Sequence, residues 1–421
     1  MHPLLILLLC IVAVLVIKVS YTVSSEGFSS TPSYKLSTEY KKQVELLSNT
    51  YSGSASGKRP LQASIGSDMP ESEQIFTNFY SLGCRFTGFI GPMDNSYYDP
   101  DIAVQQAVAT GCRTFILEID YIEECDKSKF FPTLVVRDIH GRLIVESESN
   151  KPKCNSVDNS NINSTCKAIN TYAFADSCQN NTDPVVLVLY FLAQPPGSYN
   201  SPTVLQYFSN VAKMIAPLSS HFLGSEPTGL YNRQSQEGQL LINKMSDYKN
   251  KVLVFTNANT SGFRENNTYA STDDLDHLVN LRLSYTQTKL GITDNTSGST
   301  FGILESTDDF MTIPTDRADK IINDTKLKWT ICLSKDPFKS VSEATYKKIT
   351  NTYGVHCIPI ILHDIPANQY MFTDKLFQKY GFIPKPKALR YVKPPVVVPA
   401  EPSPTINTHK GALRNTTTTM S

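Results

Sequence analysis

Short, nearly all-apolar runs recur along this chain, with helical patterns between them, and no other feature limits its fold as strongly. The runs are "TFILEIDYI" (114–122), "TLVVRDI" (133–139), "PVVLVLYFLA" (184–193), "KVLVFTNA" (251–258), "FGILES" (301–306), "KWTICLS" (328–334) and "CIPIILHD" (357–364). A strand apolar on both sides must be covered on both sides. The intervening segments supply the cover. "DPDIAVQQAVATG" (99–111) reads as a helix with Asp99 as N-cap, Pro100 in the first turn and Gly111 just past the end. "SPTVLQYFSNVAKMIAPL" (201–218) carries apolar residues at helical spacing, and "SVSEATYKKITNTYG" (340–354) opens on a Ser cap with Glu343 nearby and closes on Gly354. Strands alternating with helices over some 300 residues give a parallel α/β fold. The length and the number of repeats favour a (β/α) barrel of the TIM type over an open sheet. No Gly-rich phosphate loop follows the first strand, and no solenoid period is visible.

The flanks have a different composition. Residues 1–23 contain the apolar run "LLILLLCIVAVLVI" (4–17), which with its flanks approaches the ~20 residues of a membrane helix. It reads as an uncleaved N-terminal anchor, with a cleaved signal peptide as the alternative. Residues 24–75 are rich in Ser, Gly, Thr and Lys and read as a linker; residues 395–421 read as a disordered Pro- and Thr-rich tail. The folded body is therefore 76–394. Lys+Arg and Asp+Glu both number 39, so the chain carries no basic footprint for nucleic acid. Lys18 beyond the apolar run favours a cytosolic body. Against it stand eight cysteines besides Cys10 and the N-x-[S/T] sequons at Asn163, Asn180, Asn259, Asn266, Asn295, Asn323 and Asn415. These features favour a luminal or extracellular body, glycosylated and disulfide-bonded, with Cys125, Cys154, Cys166 and Cys178 as the pairing set. The cysteines lack paired CxxC spacing, which argues against zinc.

In a barrel, chemistry sits at the C-terminal ends of the strands. Glu118 and Asp120, two apart on one strand, share a face and could hold a divalent cation or do acid–base work; a solvated strand end or a buried ion pair is the plainer alternative. His140 lies in "DIHGR", a turn. Tyr190, Thr256 and Asn257 end later strands, and His363 and Asp364 end the last, their side chains on opposite sides.

Several pieces together resemble the phosphatidylinositol-specific phospholipase C superfamily, the PLC-like phosphodiesterases. They are "GCRTFILEID", "FFPTLVVRDIHG", "TDPVVLVLYFL", "YKNKVLVFTNA" and "YGFIPKPKALRYVKP", in this order over about 80–394. The resemblance implies an irregular TIM-type barrel that cleaves a phosphodiester with two histidines and a cation, a bound metal such as Ca²⁺ or an Arg. The family pattern is incomplete in this chain. The first histidine belongs near "YSLGCRFTGF", which has none, and His140 falls late for the second. At the metal-ligand positions stand Ile116, Glu118 and Tyr190, and the basic positions hold Phe255, Thr256 and Asn257. Glu118 is the one carboxylate kept as a metal ligand, and Asp120 has no counterpart. The resemblance then implies a membrane-tethered barrel with impaired catalysis that acts as a binding or structural protein, with a phospholipid or phosphodiester as ligand. The alternative is an active phosphoric diester hydrolase with a rearranged site, using His140 or His363 as base and Glu118 and Asp120 on a metal. A sugar-cleaving site pairing Glu118 with Asp364 is a third reading.

Overall fold

The structure is a computed structural model that describes residues 35, 37–51, 59–91, 97–121, 131–138, 140, 143–144, 161–223, 238–266, 268–285, 301–334, 336, 338–365, 376–377 and 380–394. The apolar 1–23 segment, the 395–421 tail, Cys125 and Cys154 lie outside the described residues. Among the described residues, no helix is long and apolar enough to cross a membrane. The chain divides into two units, Met1–Tyr391 and Val392–Ser421. All the described strands and helices belong to the first unit.

Among the described residues fourteen strands form the sheets: β1 Phe79–Ser81, β2 Gly83–Arg85, β3 Thr114–Tyr121, β4 Pro132–Leu134, β5 Val136–Arg137, β6 Leu143–Ile144, β7 Val185–Phe191, β8 Val252–Thr256, β9 Leu281–Arg282, β10 Ser284–Tyr285, β11 Gly302–Ser306, β12 Trp329–Leu333, β13 Ile360–Ile361 and β14 Phe382–Pro384. The main sheet runs β13-β2-β3-β7-β8-β9 with every pair parallel, and β4 adds to β3 antiparallel. A second parallel ladder runs β10-β11-β12.

The two ladders approach each other twice. Leu283 alone separates β9 from β10, and its N–H reaches the Thr256 carbonyl at 2.7 Å. At the other side Ile331 bridges Cys357 in parallel, and the Cys332 N–H donates to the Cys357 carbonyl at 2.9 Å. The described strands do not close into one hydrogen-bonded ring. The parallel α/β fold expected from the repeats is observed, as two ladders whose junction strands β9, β10 and β13 have two residues each.

Both faces of the long strands are buried, as their sequence requires. In β3, Phe115, Leu117 and Ile119 pack into the core under the helices, while Ile116 packs with Val186, Val188, Leu253 and Phe255. Leu304, Trp329 and Ile331 of the second ladder join that same inner core. Each such side chain contributes about 1.5–3 kcal/mol by leaving water.

The helices α1 Thr38–Tyr51, α2 Pro100–Thr110, α3 Asn161–Ala173, α4 Pro202–Met214, α5 Thr307–Met311, α6 Ala318–Leu327 and α7 Glu343–Lys348 cover the outside. Helix α2 starts and stops as its sequence dictates: Asp99 caps the Ile102 N–H, and Gly111 takes the left-handed conformation at φ 100°. Ser201 caps α4.

Three expectations need correction. Residues 24–75 are not wholly a linker. Tyr40, Leu47 and Tyr51 fall on one face of α1 and are buried; the Tyr40 hydroxyl bonds Asp99, and the Tyr51 hydroxyl donates to the Leu362 carbonyl at 2.7 Å. The disulfide expectation fails among the described residues, where Cys166 and Cys178 are both free. Cys166 is spent on the buried face of α3, and the Cys178 sulfur accepts from Arg113 at 3.2 Å. Two sequons are equally enclosed: Asn163 is buried on α3, and Asn180 is fully buried against the Arg113 guanidinium at 2.8 Å. Asn323 lies exposed on α6.

The end of the body is clasped to its beginning. β14 pairs antiparallel with β1, Phe79 opposite Pro384. Beneath the clasp His356 and Lys385 are completely enclosed. The His356 Nδ1 accepts the Thr330 N–H at 3.0 Å, so its proton sits on Nε2. That Nε2 lies 2.9 Å from the Thr77 carbonyl and 2.8 Å from Lys385 Nζ. An ammonium cannot accept from an imidazole N–H. Lys385 is therefore held as the neutral amine, donating to the Thr325 carbonyl at 3.1 Å. Burial pushes its pKa well below the lysine range, and Lys326 adds to this.

Candidate active site

β2 and β3 lie side by side in parallel register, with Cys84 opposite Phe115. The alternation on β3 turns Glu118 and Asp120 away from the helices, the shared face expected from their spacing. Both are buried. Glu118 is in register with Tyr190 on β7, itself buried.

Each carboxylate has a guanidinium of its own. Arg85, the last residue of β2, bonds Glu118 through Nε and donates to the Ser334 carbonyl at 2.8 Å. Its guanidinium also sits 4.8 Å from the centre of the Phe86 ring. Arg137, the last residue of β5, donates from Nε to Asp120 at 2.6 Å. The other Asp120 oxygen accepts the Tyr121 N–H at 2.9 Å. Burial raises the Asp120 pKa, opposed by Arg137. The buried ion pair, which the sequence left open beside the catalytic and metal roles, is thus the observed arrangement for both residues.

The histidines are elsewhere. His140 is exposed in a turn, with its backbone N–H held by the Asp138 carboxylate at 2.9 Å. Among the described residues, Glu118 and Asp120 are paired with Arg85 and Arg137 rather than with His140. His363 is half-buried: its Nε2 is buried with no partner among the described residues, and desolvation lowers its pKa to about 4. The ring packs against Gly91, where φ is +71° and an added Cβ would stand 2.6 Å from the ring Cγ. Asp364 is occupied by the Ser340 N–H at 2.7 Å, which leaves it holding a loop. The Asn257 side chain extends the sheet, taking the Phe191 N–H at 2.8 Å and donating to its carbonyl at 2.9 Å.

The donor set does not suit Ca²⁺. Such an ion wants six or more oxygens, and here a guanidinium stands against each carboxylate. Among the described residues no three His, Cys, Asp or Glu come together as a metal centre. Arg85 is the member that the sequence reading missed. One signal was present: Gly-Cys-Arg occurs twice, at 83–85, where it is strand β2, and at 111–113, leading into β3. The second Arg, Arg113, is fully buried and serves structure, bonding the Ala173 carbonyl at 2.8 Å.

No family model matches the sequence, and no curated protein matches it. Solved structures do resemble it. PLC21 of S. officinalis has a TM-score of 0.47 at 13% identity, covering 77% of this chain and 39% of its own length, so this chain spans about two fifths of that protein. A calcium-dependent phosphoinositol-specific phospholipase C from Pseudomonas sp has a TM-score of 0.40 at 12% identity, covering 75% of this chain and 97% of its own. A Ca²⁺-dependent phosphatidylinositol-specific phospholipase C from Streptomyces antibioticus has a TM-score of 0.41 at 8% identity, covering 74% and 99%. The chain resembles phosphatidylinositol-specific phospholipase C structures.

Proposed function

We propose that this chain is a phospholipase C-like fold that has lost diesterase chemistry and works as a membrane-tethered binding or structural protein. The Arg85–Glu118 pair carries the reading. It puts a fixed, hydrogen-bonded guanidinium against the one carboxylate that the family pattern would give to a metal. Neither His140, exposed in its turn, nor the half-buried His363 has a contact with the pair that would make it a base for a substrate hydroxyl. The tether rests on the apolar 4–17 run alone.

One observation favours the alternative, an active phosphoric diester hydrolase. Arg85 is a cation at a strand end, and a guanidinium can stabilise a pentacoordinate phosphorus in place of a metal. The same assay separates the two readings. The purified chain is offered phosphatidylinositol and an aryl phosphodiester, with Ca²⁺ and with EDTA. The proposal expects no turnover by folded protein under either condition. Turnover that is lost in Arg85→Lys or Glu118→Gln protein would refute it.

A further inference from the structure

The clasp between β1 and β14 is a small, separable piece of the fold. β14 pairs with β1 alone, over three residues, in a two-stranded sheet of its own. The chain beyond it returns to the same partner. The Lys385 N–H donates to the Asn78 carbonyl at 2.9 Å, and the Asn78 side chain donates to the Tyr391 carbonyl at 2.9 Å and accepts the Tyr391 N–H at 2.6 Å. Arg390 donates to the Lys385 carbonyl at 2.6 Å and to Glu73 at 3.2 Å. Residues 382–391 are thus held by residues 73–81 and, through Lys385 and the Thr325 carbonyl, by the last turn of α6. No other described strand pairs with β14.

The enclosed pair beneath the clasp has no counter-ion. The His356 Nε2–H faces the Thr77 carbonyl, and the Thr77 hydroxyl, 3.1 Å from the same nitrogen, donates to the Lys326 carbonyl at 3.1 Å. The charged groups around the pair are cationic or already engaged. Lys326 stands near the end of α6, and Asp324 of that helix is taken by Lys328 at 3.0 Å. Glu73 is taken by Arg390, and Asp68 lies 3.8 Å from the same guanidinium. The Tyr80 ring sits 5.9 Å from Lys385 Nζ, with its hydroxyl on the Thr350 carbonyl at 2.7 Å. The neighbouring Cys357 thiol is pushed up to about 12 by burial and stays neutral. Among the described residues no carboxylate pairs with His356 or Lys385.

A proton added to this enclosure would be a buried charge without a partner, which the closed clasp strongly disfavours. Burial accordingly pushes both His356 and Lys385 down. In the open clasp the same groups meet water, where the lysine is protonated below about pH 10.4 and the histidine below about pH 6.5. Opening therefore takes up one proton between pH 9 and 7 and approaches two below about pH 6, so falling pH favours the open form. We propose that the clasp is a pH-sensitive latch, which acid opens to free residues 382–391 while the main sheet stays folded. The latch is independent of the Arg85–Glu118 pair, which lies on β2 and β3.

Hydrogen–deuterium exchange of the full chain from pH 9 to 5, read by mass spectrometry and corrected for the intrinsic exchange rate, follows opening segment by segment. Segments 76–82 and 382–391 are expected to lose protection as pH falls. The loss should reach up to about tenfold per unit from pH 9 to 7, and up to about a hundredfold per unit below about pH 6. Strands β3 and β7 should stay at least about tenfold better protected than these segments throughout. Lys385→Met should remove the loss between pH 9 and 7 and keep only the part below pH 6 that belongs to His356. Adding His356→Gln should flatten the profile; should that double variant fail to fold, Lys385→Met alone decides. Protection of the clasp that does not change with pH overturns the proposal. So does a profile left intact in Lys385→Met, or exchange of the clasp in step with β3 and β7, which would mean that the chain opens only as a whole.

Discussion

Replacing Lys385 by methionine tests the clasp between the two ends of the body. In the folded chain Lys385 is a neutral amine, because the neighbouring His356 has a hydrogen on the nitrogen that faces it. In the unfolded chain the same amine is charged up to about pH 10.4. Between its lowered folded pKa and that value, the unfolded state holds one proton more than the folded state. Stability therefore rises with pH across this window, by about 1.4 kcal/mol per unit for one proton. His356 also has a lowered pKa, from burial first and then Lys385, but its contribution lies below about pH 6.5, where stability falls with falling pH. From pH 7 to 9 the lysine acts apart from it. Lys385→Met removes the proton and keeps a comparable apolar stem, leaving the His356 Nε2–H on the Thr77 carbonyl. Urea unfolding of both proteins at pH 7, 8 and 9 supplies the difference. The parent is expected to gain on the variant as pH rises through this window, by at most about 1.4 kcal/mol per unit. The variant should be at least as stable as the parent at pH 7, since burying an amine costs more than burying a thioether. A difference independent of pH would mean that Lys385 is charged in the fold, and would refute the assigned proton positions.

Removing Arg85 alone, as Arg85→Met, should destabilise the chain by about 3–5 kcal/mol because it strands the Glu118 charge; Arg85→Met with Glu118→Met should recover most of the loss, and denaturant midpoints check both. Burial raises the Asp183 carboxyl to about 6, so the folded chain holds a proton that the unfolded chain has released; the parent should lose stability relative to Asp183→Asn as pH rises from about 4 to 6, and a flat difference in thermal midpoints would contradict this. Cys166 and Cys178 should both be alkylated in unfolded, unreduced protein, with Cys166 unreactive before unfolding; mass spectrometry reads out both, and a 166–178 bridge would contradict the structure. Adding millimolar Ca²⁺ should leave the melting temperature unchanged, since each candidate carboxylate is already paired; a clear upward shift would mean that a cation site exists.

The resemblance rested on the order of five segments, and the structure keeps four of them as the strands β3, β7, β8 and β14, with the 131–140 segment broken into β4 and β5. Helix α2 was also legible, because an Asp cap followed by Pro needs no partner elsewhere, and α4 was legible from its apolar spacing. Helix α3 was hidden by a polar, Asn-rich stretch whose apolar face is narrow, and α1 by a surrounding Ser/Gly-rich composition. The cysteine count misled because a free, buried Cys behaves as a small apolar residue, and nothing in spacing separates that use from pairing.

The sequence by itself determined that β3, β7 and β8 are buried on both faces, and that Glu118 and Asp120 share one side. Alternation and apolar content are local properties, readable within a few residues. Only the tertiary structure decided what those carboxylates do. Arg85 is 33 residues from Glu118 and meets it because β2 and β3 are neighbours in one register; a shift by one residue would turn one partner away. The same holds for His356 and Lys385, 29 residues apart and enclosed together beneath the clasp.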